Sequence, residues 1–240
     1  MNDLDIALVG QTSLPGLCPI AEAVQQLATD SGRDERGAIF TRKEVVDFML
    51  DLVGYSADQD LTSARLLEPS FGGGEFVVAA VARLVESWKR RGCVADLAAC
   101  IYAVELHQST FEATRESVRA KLKELGFEAA EAARLTQAWL HFGDFLLAPI
   151  PGRFDFVVGN PPYVRQELIP AALLEEYRRR FSTLYDRADL YVPFIERSLN
   201  LLAESGQMTF ICADRWTKNK YGGPLRAKSP AGSHCEPLSI

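Results

Sequence analysis

The 240-residue chain has no excess of positive charge: 26 Lys and Arg stand against 32 Asp and Glu, a formal net charge of -6. Any contact with nucleic acid must therefore come from a local patch or from a part outside this sequence. Five cysteines are scattered (Cys18, Cys93, Cys100, Cys212, Cys235), with no pair at metal-ligand spacing. That excludes a zinc-ribbon arrangement and a disulfide framework, and fits reduced thiols. No N-terminal charged-then-apolar signal occurs and no apolar run is long enough to span a bilayer, so a cytoplasmic location without a membrane partner is expected. There is no internal repeat. The glycine spacing is not the dinucleotide fingerprint, and no Lys-Ser/Thr follows the glycines, so a phosphate loop is excluded too.

What is present is an alternation. Five apolar segments read as strands: "ARLLEP", "ACIYAVEL", "AWLHFGDFL", "RFDFVVGN" and "QMTFICA". Between them lie helical patterns, among them "EFVVAAVARLVESWKRR", "STFEATRESVRAKLKELG" and "DLYVPFIERSLNLLAESG", the last expected to end at Gly206. A short helix is expected over residues 21–28, and another after Thr41, a candidate N-cap. Strands alternating with helices predict an α/β fold: a mostly parallel sheet with helices on both faces. In such sheets ligands bind beyond the carboxyl ends of the strands. The residues to read are therefore those just after each strand.

The first such loop is "EPSFGGGEF", with Glu68 before Gly72, Gly73 and Gly74. Its glycines let the backbone approach a ligand closely, although a glycine cluster alone also makes a tight turn. A carboxylate at Glu68 repels phosphate and accepts hydrogen bonds from an ammonium group, which points to an amino-acid-bearing cofactor. Glu105 ends the second strand and is placed to accept both hydroxyls of a ribose, or is simply solvated. Leu106 beside it can pack on adenine. Asp144 can accept the adenine amino group and Phe145 can cover its ring, the plain alternative for Phe145 being core packing.

The stretch "VVGNPPYVRQ" is the most unusual. Asn160 follows a buried strand directly, and then come Pro161, Pro162 and Tyr163. The Asn160 amide oxygen and the Pro161 carbonyl are two acceptors held close together, suited to gripping both hydrogens of one NH2 group. The prolines fix the backbone, so little reorganisation is needed. Tyr163 offers a ring on which a base can stack.

Taken together these segments resemble the S-adenosylmethionine-dependent DNA methyltransferases that modify exocyclic amino groups, and more narrowly the adenine-N6 enzymes of restriction-modification systems whose cofactor motifs precede the NPPY motif. "GAIFTRKEVVDFML" resembles their N-terminal cofactor segment, with Thr41 at the position that touches the methionine part. "LLEPSFGGGEF" (Glu68, Pro69, Ser70, Gly72, Gly74) resembles the glycine loop, "YAVELH" (Glu105, Leu106) the ribose-binding acid, "GDFL" (Asp144, Phe145) the adenine segment and "GNPPY" (Asn160, Pro161, Pro162, Tyr163) the catalytic motif. Tyr221 falls near the family's second base-packing aromatic. The resemblance implies a Rossmann-like methyltransferase fold, S-adenosylmethionine as cofactor, and double-stranded DNA with a flipped adenine as substrate. Asn at the first motif position points to adenine N6. The Pro-Cys nucleophile of cytosine-C5 enzymes is absent.

The resemblance covers residues 37–226, expected as the catalytic domain after an irregular and helical segment 1–36. Residues 227–240 have turn-forming composition and are expected to be disordered, with the sheet's last strands and a target-recognition domain missing. Recognition or nuclease functions are then expected from a subunit or domain not in this chain. Arg178, Arg179, Arg180 and Arg187 form a local basic cluster that meets phosphates or is a solvated helix face. Two alternatives stay open: methylation of a protein glutamine amide by the same NPPY logic, and an inactive truncated remnant that binds cofactor or a partner.

Overall fold

The computed structural model describes residues 18–30, 41–214, 222, 223 and 225. Seven helices and five strands follow in the order α1 (Pro19–Asp30), α2 (Lys43–Leu52), β1 (Leu66–Glu68), α3 (Glu75–Arg90), β2 (Ile101–Glu105), α4 (Gln108–Glu124), α5 (Ala129–Trp139), β3 (Leu140–Phe142), β4 (Phe154–Gly159), α6 (Ala171–Arg180), α7 (Tyr191–Leu201) and β5 (Leu202–Phe210). The strands form one sheet in the order β3-β2-β1-β4-β5, and every pairing is parallel. The expected α/β architecture is therefore present. Residues 1–17, 31–40, the 227–240 tail and Tyr221 lie outside the described residues.

A parallel sheet must be covered on both faces, so its strands read as continuous apolar runs. β1 is buried at all three positions. One apolar cluster joins α2, α3, α4 and α5 through Val46, Leu50, Val81, Leu84, Val118, Leu122, Leu135 and Trp139. The other joins α1, α6 and α7 through Leu27, Leu173, Tyr177, Tyr191 and Ile195. The sheet lies between them.

Three local expectations are corrected. Thr41 is not the cap of α2: Arg42 takes that place, without a side-chain cap bond. The segment "AWLHFGDFL" is not one strand. Its first residues close α5, an alanine-rich helix that buries Ala132, Leu135, Thr136 and Trp139 at helical spacing, and only Leu140–Phe142 pairs with β2. Finally, Gly206 does not end α7, which stops at Leu201. Gly206 sits inside β5 where the pairing with β4 is irregular, between Phe154↔Leu202 and Phe156↔Gln207. A Cβ there would stand 2.8 Å from the Phe154 carbonyl oxygen, so glycine permits the strands to approach. Among the described residues no helix is long and apolar enough to cross a membrane.

Candidate active site

The strand order changes direction at β1: β2 and β3 lie to one side, β4 and β5 to the other. Such a switch point leaves a crevice beyond the carboxyl ends of the strands. A cavity of about 640 Å³ occupies it here. Its wall takes Glu68 from the end of β1, Glu105 from the end of β2, Asp144 from just past β3 and Asn160 from just past β4. Thr41, Pro69, Ser70, Gly72, Leu106, Phe145 and Pro162 also line it. Of the residues singled out from the sequence, Gly74, Pro161 and Tyr163 do not.

Glu105 is the strut of the site. It is 3% exposed. Its Oε2 accepts from the Gly72 N–H at 2.9 Å and its Oε1 from the His107 N–H at 2.7 Å. One carboxylate thus ties the glycine loop after β1 to the end of β2. Each oxygen keeps a further lone pair for a ligand.

Glu68 is 1% exposed, and its Oε2 has no hydrogen-bond partner among the described residues. Burial, then the nearby charges of Glu75 and Glu105, hold its carboxyl well above the usual carboxylate range, while a backbone hydrogen bond from Val77 opposes them. Burial also raises Glu75, which shares the cavity wall. Carboxyl oxygens at this density offer several acceptors to an ammonium group.

Gly74 has a different task from Gly72. It precedes α3 at φ 84°, and a Cβ would stand 2.4 Å from Thr114 Cγ2 on α4. It lets α3 and α4 pack closely. The Thr114 hydroxyl donates to the Gly72 carbonyl at 2.9 Å, so α4 also secures the loop.

The Asp144 carboxylate accepts from the Leu146 N–H at 2.7 Å and from the Tyr177 hydroxyl on α6. Burial raises its carboxyl, opposed by those two bonds and by Arg197 and Arg180. Phe145 is 2% exposed and packs against Phe194, with ring centroids 5.0 Å apart. It is both a core residue and part of the wall.

In the NPPY segment, Asn160 and Pro162 reach the cavity, and Pro161 is buried. Asn160 Nδ2 lies 3.4 Å from the Thr41 hydroxyl, which brings the residue before α2 to the end of β4. Tyr163 is half-buried. Its hydroxyl donates to the Ile211 carbonyl at 3.0 Å, and burial pushes its pKa up to about 12. The ring thereby pins the segment to the chain just past β5.

The arginine cluster is largely paired. Arg178 donates to Gln166 Oε1 at 2.7 Å, and Arg179 and Arg180 bond Glu176 at 2.7 and 2.5 Å, holding that carboxyl down to about 2. Arg179 nevertheless stays 70% exposed.

Several wall residues carry no signal in the sequence: Leu27 from α1, Thr110 and Thr114 from α4, Tyr177 from α6 and Phe194 from α7. α1 is drawn to the site by His107, whose Nδ1 lies 2.9 Å from the Ala28 carbonyl.

Solved structures share this fold. The M protein of the type I restriction enzyme EcoKI aligns with a TM-score of 0.50 at 11% identity, over 78% of this chain and 36% of that one. The type ISP restriction-modification enzyme LlaBIII, bound to DNA, aligns with a TM-score of 0.52 at 17% identity, over 79% of this chain and 15% of that one. Sequence relatives are nearer. The type II methyltransferase M.PaeR7I of Pseudomonas aeruginosa is 59% identical over 215 residues, which is 88% of this chain and 38% of that protein. M.XhoI of Xanthomonas vasicola is 58% identical over 199 residues, 81% of this chain and 36% of that protein. The chain thus spans less than two fifths of the length of these curated relatives. The family model for the Eco57I restriction-modification methylases matches residues 99–229, more than half of the chain, and the chain belongs to that family.

Proposed function

We propose that this chain is the cofactor-binding and catalytic part of a DNA methyltransferase that transfers a methyl group from S-adenosylmethionine to N6 of adenine, as the modification arm of a restriction-modification system. The observation that carries this reading is the convergence of Glu68, Glu105, Asp144 and Asn160, from the ends of four successive strands, on one cavity.

The residues present fit the cofactor. Glu68 Oε2, buried and without a hydrogen-bond partner among the described residues, suits an ammonium group. Glu105 has lone pairs left for ribose hydroxyls. Asp144 accepts an amino group, and Phe145 and Leu106 give apolar walls for a purine ring. When bound, the cofactor supplies a methyl group on a positively charged sulfur. The protein's own work is positioning. Asn160, with the Pro161 carbonyl, accepts the two hydrogens of the target amine, which concentrates the nitrogen lone pair on the face turned toward the methyl group. The Thr41 hydroxyl accepts from the Asn160 amide nitrogen, which orients the amide. The adenine must leave the duplex to arrive there, since its N6 is engaged in pairing. Tyr163 anchors the segment through its bond to the Ile211 carbonyl, and the extruded base is expected to stack on its ring beyond the cavity wall. Sequence recognition and any nuclease belong to parts outside this chain, as does most of the double-stranded DNA contact.

The test uses the full-length protein containing this chain, with methyl-labelled cofactor and duplex DNA. The label is expected on N6 of adenine. Label on cytosine, or on a glutamine amide in a protein acceptor, would overturn the reading. Asn160→Ala in that protein is expected to lower turnover on the order of a hundredfold while the affinity for S-adenosylhomocysteine is unchanged. Turnover at the parent rate would show the NPPY segment to be only a rigid turn.

A further inference from the structure

Tyr177 stands on α6, 33 residues beyond Asp144, and is 1% exposed. It lines the same cavity as Asp144 and Phe145. Its hydroxyl donates to Asp144 Oδ2, and the Leu146 N–H donates to Oδ1 at 2.7 Å. Arg197, from α7, lies behind the same wall: its guanidinium carbon is 5.2 Å from the Phe145 ring centroid, and it donates to the Ala148 carbonyl. Both carboxylate oxygens therefore already face a donor, and a cation stands nearby.

This matters because burial alone favours a neutral carboxyl. Burial is the largest influence on Asp144 and pushes its carboxyl up, while Tyr177, Leu146, Arg197 and Arg180 all act the other way. The two protonation states read a ligand differently. A carboxylate has lone pairs and no proton. It accepts from an exocyclic amino group and repels a carbonyl oxygen at the same place. A neutral carboxyl can turn its proton toward either, and the distinction is lost. Selection of this kind rests on rejecting the wrong group as much as on binding the right one.

We propose that Tyr177 is a positioning residue that keeps Asp144 an acceptor and so sets the cavity's preference for a 6-amino over a 6-oxo purine. The proposal rests on the reading that the cavity takes S-adenosylmethionine with its adenine at Asp144. It adds that a side chain from α6, the helix after the NPPY segment, governs what the β3 loop can recognise.

Calorimetry on the full-length protein tests it with two probes, S-adenosylhomocysteine and its 6-oxo counterpart S-inosylhomocysteine. The parent is expected to prefer the adenosyl ligand strongly. Tyr177→Phe is expected to reduce that preference at least about tenfold, the size of one hydrogen bond to a charged group, with the ring and the fold retained. A merely structural role would weaken both ligands by one factor and leave the ratio intact, which overturns the proposal. Asp144→Asn should lose the preference as well, and adding Tyr177→Phe to it should remove nothing more; a further loss of equal size overturns the proposal too. If the phenylalanine protein does not fold, 3,5-difluorotyrosine at 177 keeps the ring and makes its hydroxyl a stronger donor. The ratio should then rise, and an unchanged ratio counts against Tyr177. A parent with no preference sinks the adenine assignment and this proposal with it, whereas a preference that survives Tyr177→Phe sinks only the role of Tyr177.

Discussion

Replacing Glu105 by alanine separates two roles that one carboxylate holds. The side chain is buried and bonds the Gly72 and His107 N–H groups at 2.9 and 2.7 Å. Alanine leaves both donors without their partner. A hydrogen bond to a charged group contributes about 1.5–3 kcal/mol. Cavity water can reach the gap, so the low end applies, and two such bonds give a loss of about 3 kcal/mol in folding stability. For a chain of this size that lowers Tm by roughly 6–12 °C. Glutamine keeps one acceptor and should lose about half as much. Guanidinium denaturation measures the stability, and calorimetry with S-adenosylhomocysteine on protein verified as folded measures the ligand. The ribose reading adds a further loss of about 2–3 kcal/mol in ligand binding. An alanine variant as stable as the parent would refute the strut. A destabilised variant that still binds the ligand at parent affinity would keep the strut and refute the ribose contact.

Gly74→Ala places a methyl group 2.4 Å from Thr114 Cγ2 at φ 84°, and is expected to cost about 1–3 kcal/mol; adding Thr114→Ser should recover the steric share but not the backbone share, read from denaturant midpoints. Glu68 has its folded carboxyl raised well above the ordinary value, chiefly by burial. The folded state therefore holds a proton that the unfolded state gives up above about pH 4.5, so Glu68 lowers stability progressively as pH rises from there toward its folded pKa. Glu68→Gln should be more stable than the parent at neutral pH and should show a shallower decline between pH 5 and 8, and identical pH slopes in the ligand-free proteins would contradict the assignment.

Much of the site was legible because it lies where strands stop. The apolar runs before Glu68, Glu105 and Asn160 mark three strand ends without ambiguity, and a parallel sheet puts such ends on one edge. What was illegible came from tertiary packing. Tyr177 reaches Asp144 only because α6 lies against that face of the sheet, and its own neighbours "EEYRRR" read as a charged surface. α5 leaves no mark of its own end in the sequence: Ala132, Leu135, Thr136 and Trp139 hold helical spacing, but Trp139 and Leu140 run directly from helix into strand without a turn residue. Gly206 departs from its expected place for a related reason. A glycine after an amphipathic run ordinarily closes a helix, whereas here it serves a close approach between β4 and β5. Two glycines of the loop also differ in task, Gly72 through its N–H and Gly74 through its missing Cβ, a division that spacing cannot disclose.

The switch point at β1 also sets an order of events during synthesis. β1 acquires its β2 neighbour early, but its other neighbour, β4, begins only at Phe154. At a translation rate of roughly 5–20 residues per second, the strand destined for the middle of the sheet spends several seconds as an open edge. Arg65, beside it, waits for Asp155, 90 residues later, to accept its backbone N–H. An open edge of this kind is a template for wrong pairing. The cavity itself draws on Leu27 at one extreme and Phe194 at the other, so a nascent chain has no complete cavity until nearly the whole sheet has closed. Conditions that slow translation between Glu68 and Asn160 lengthen the interval in which wrong pairing at that edge competes with closure of the sheet.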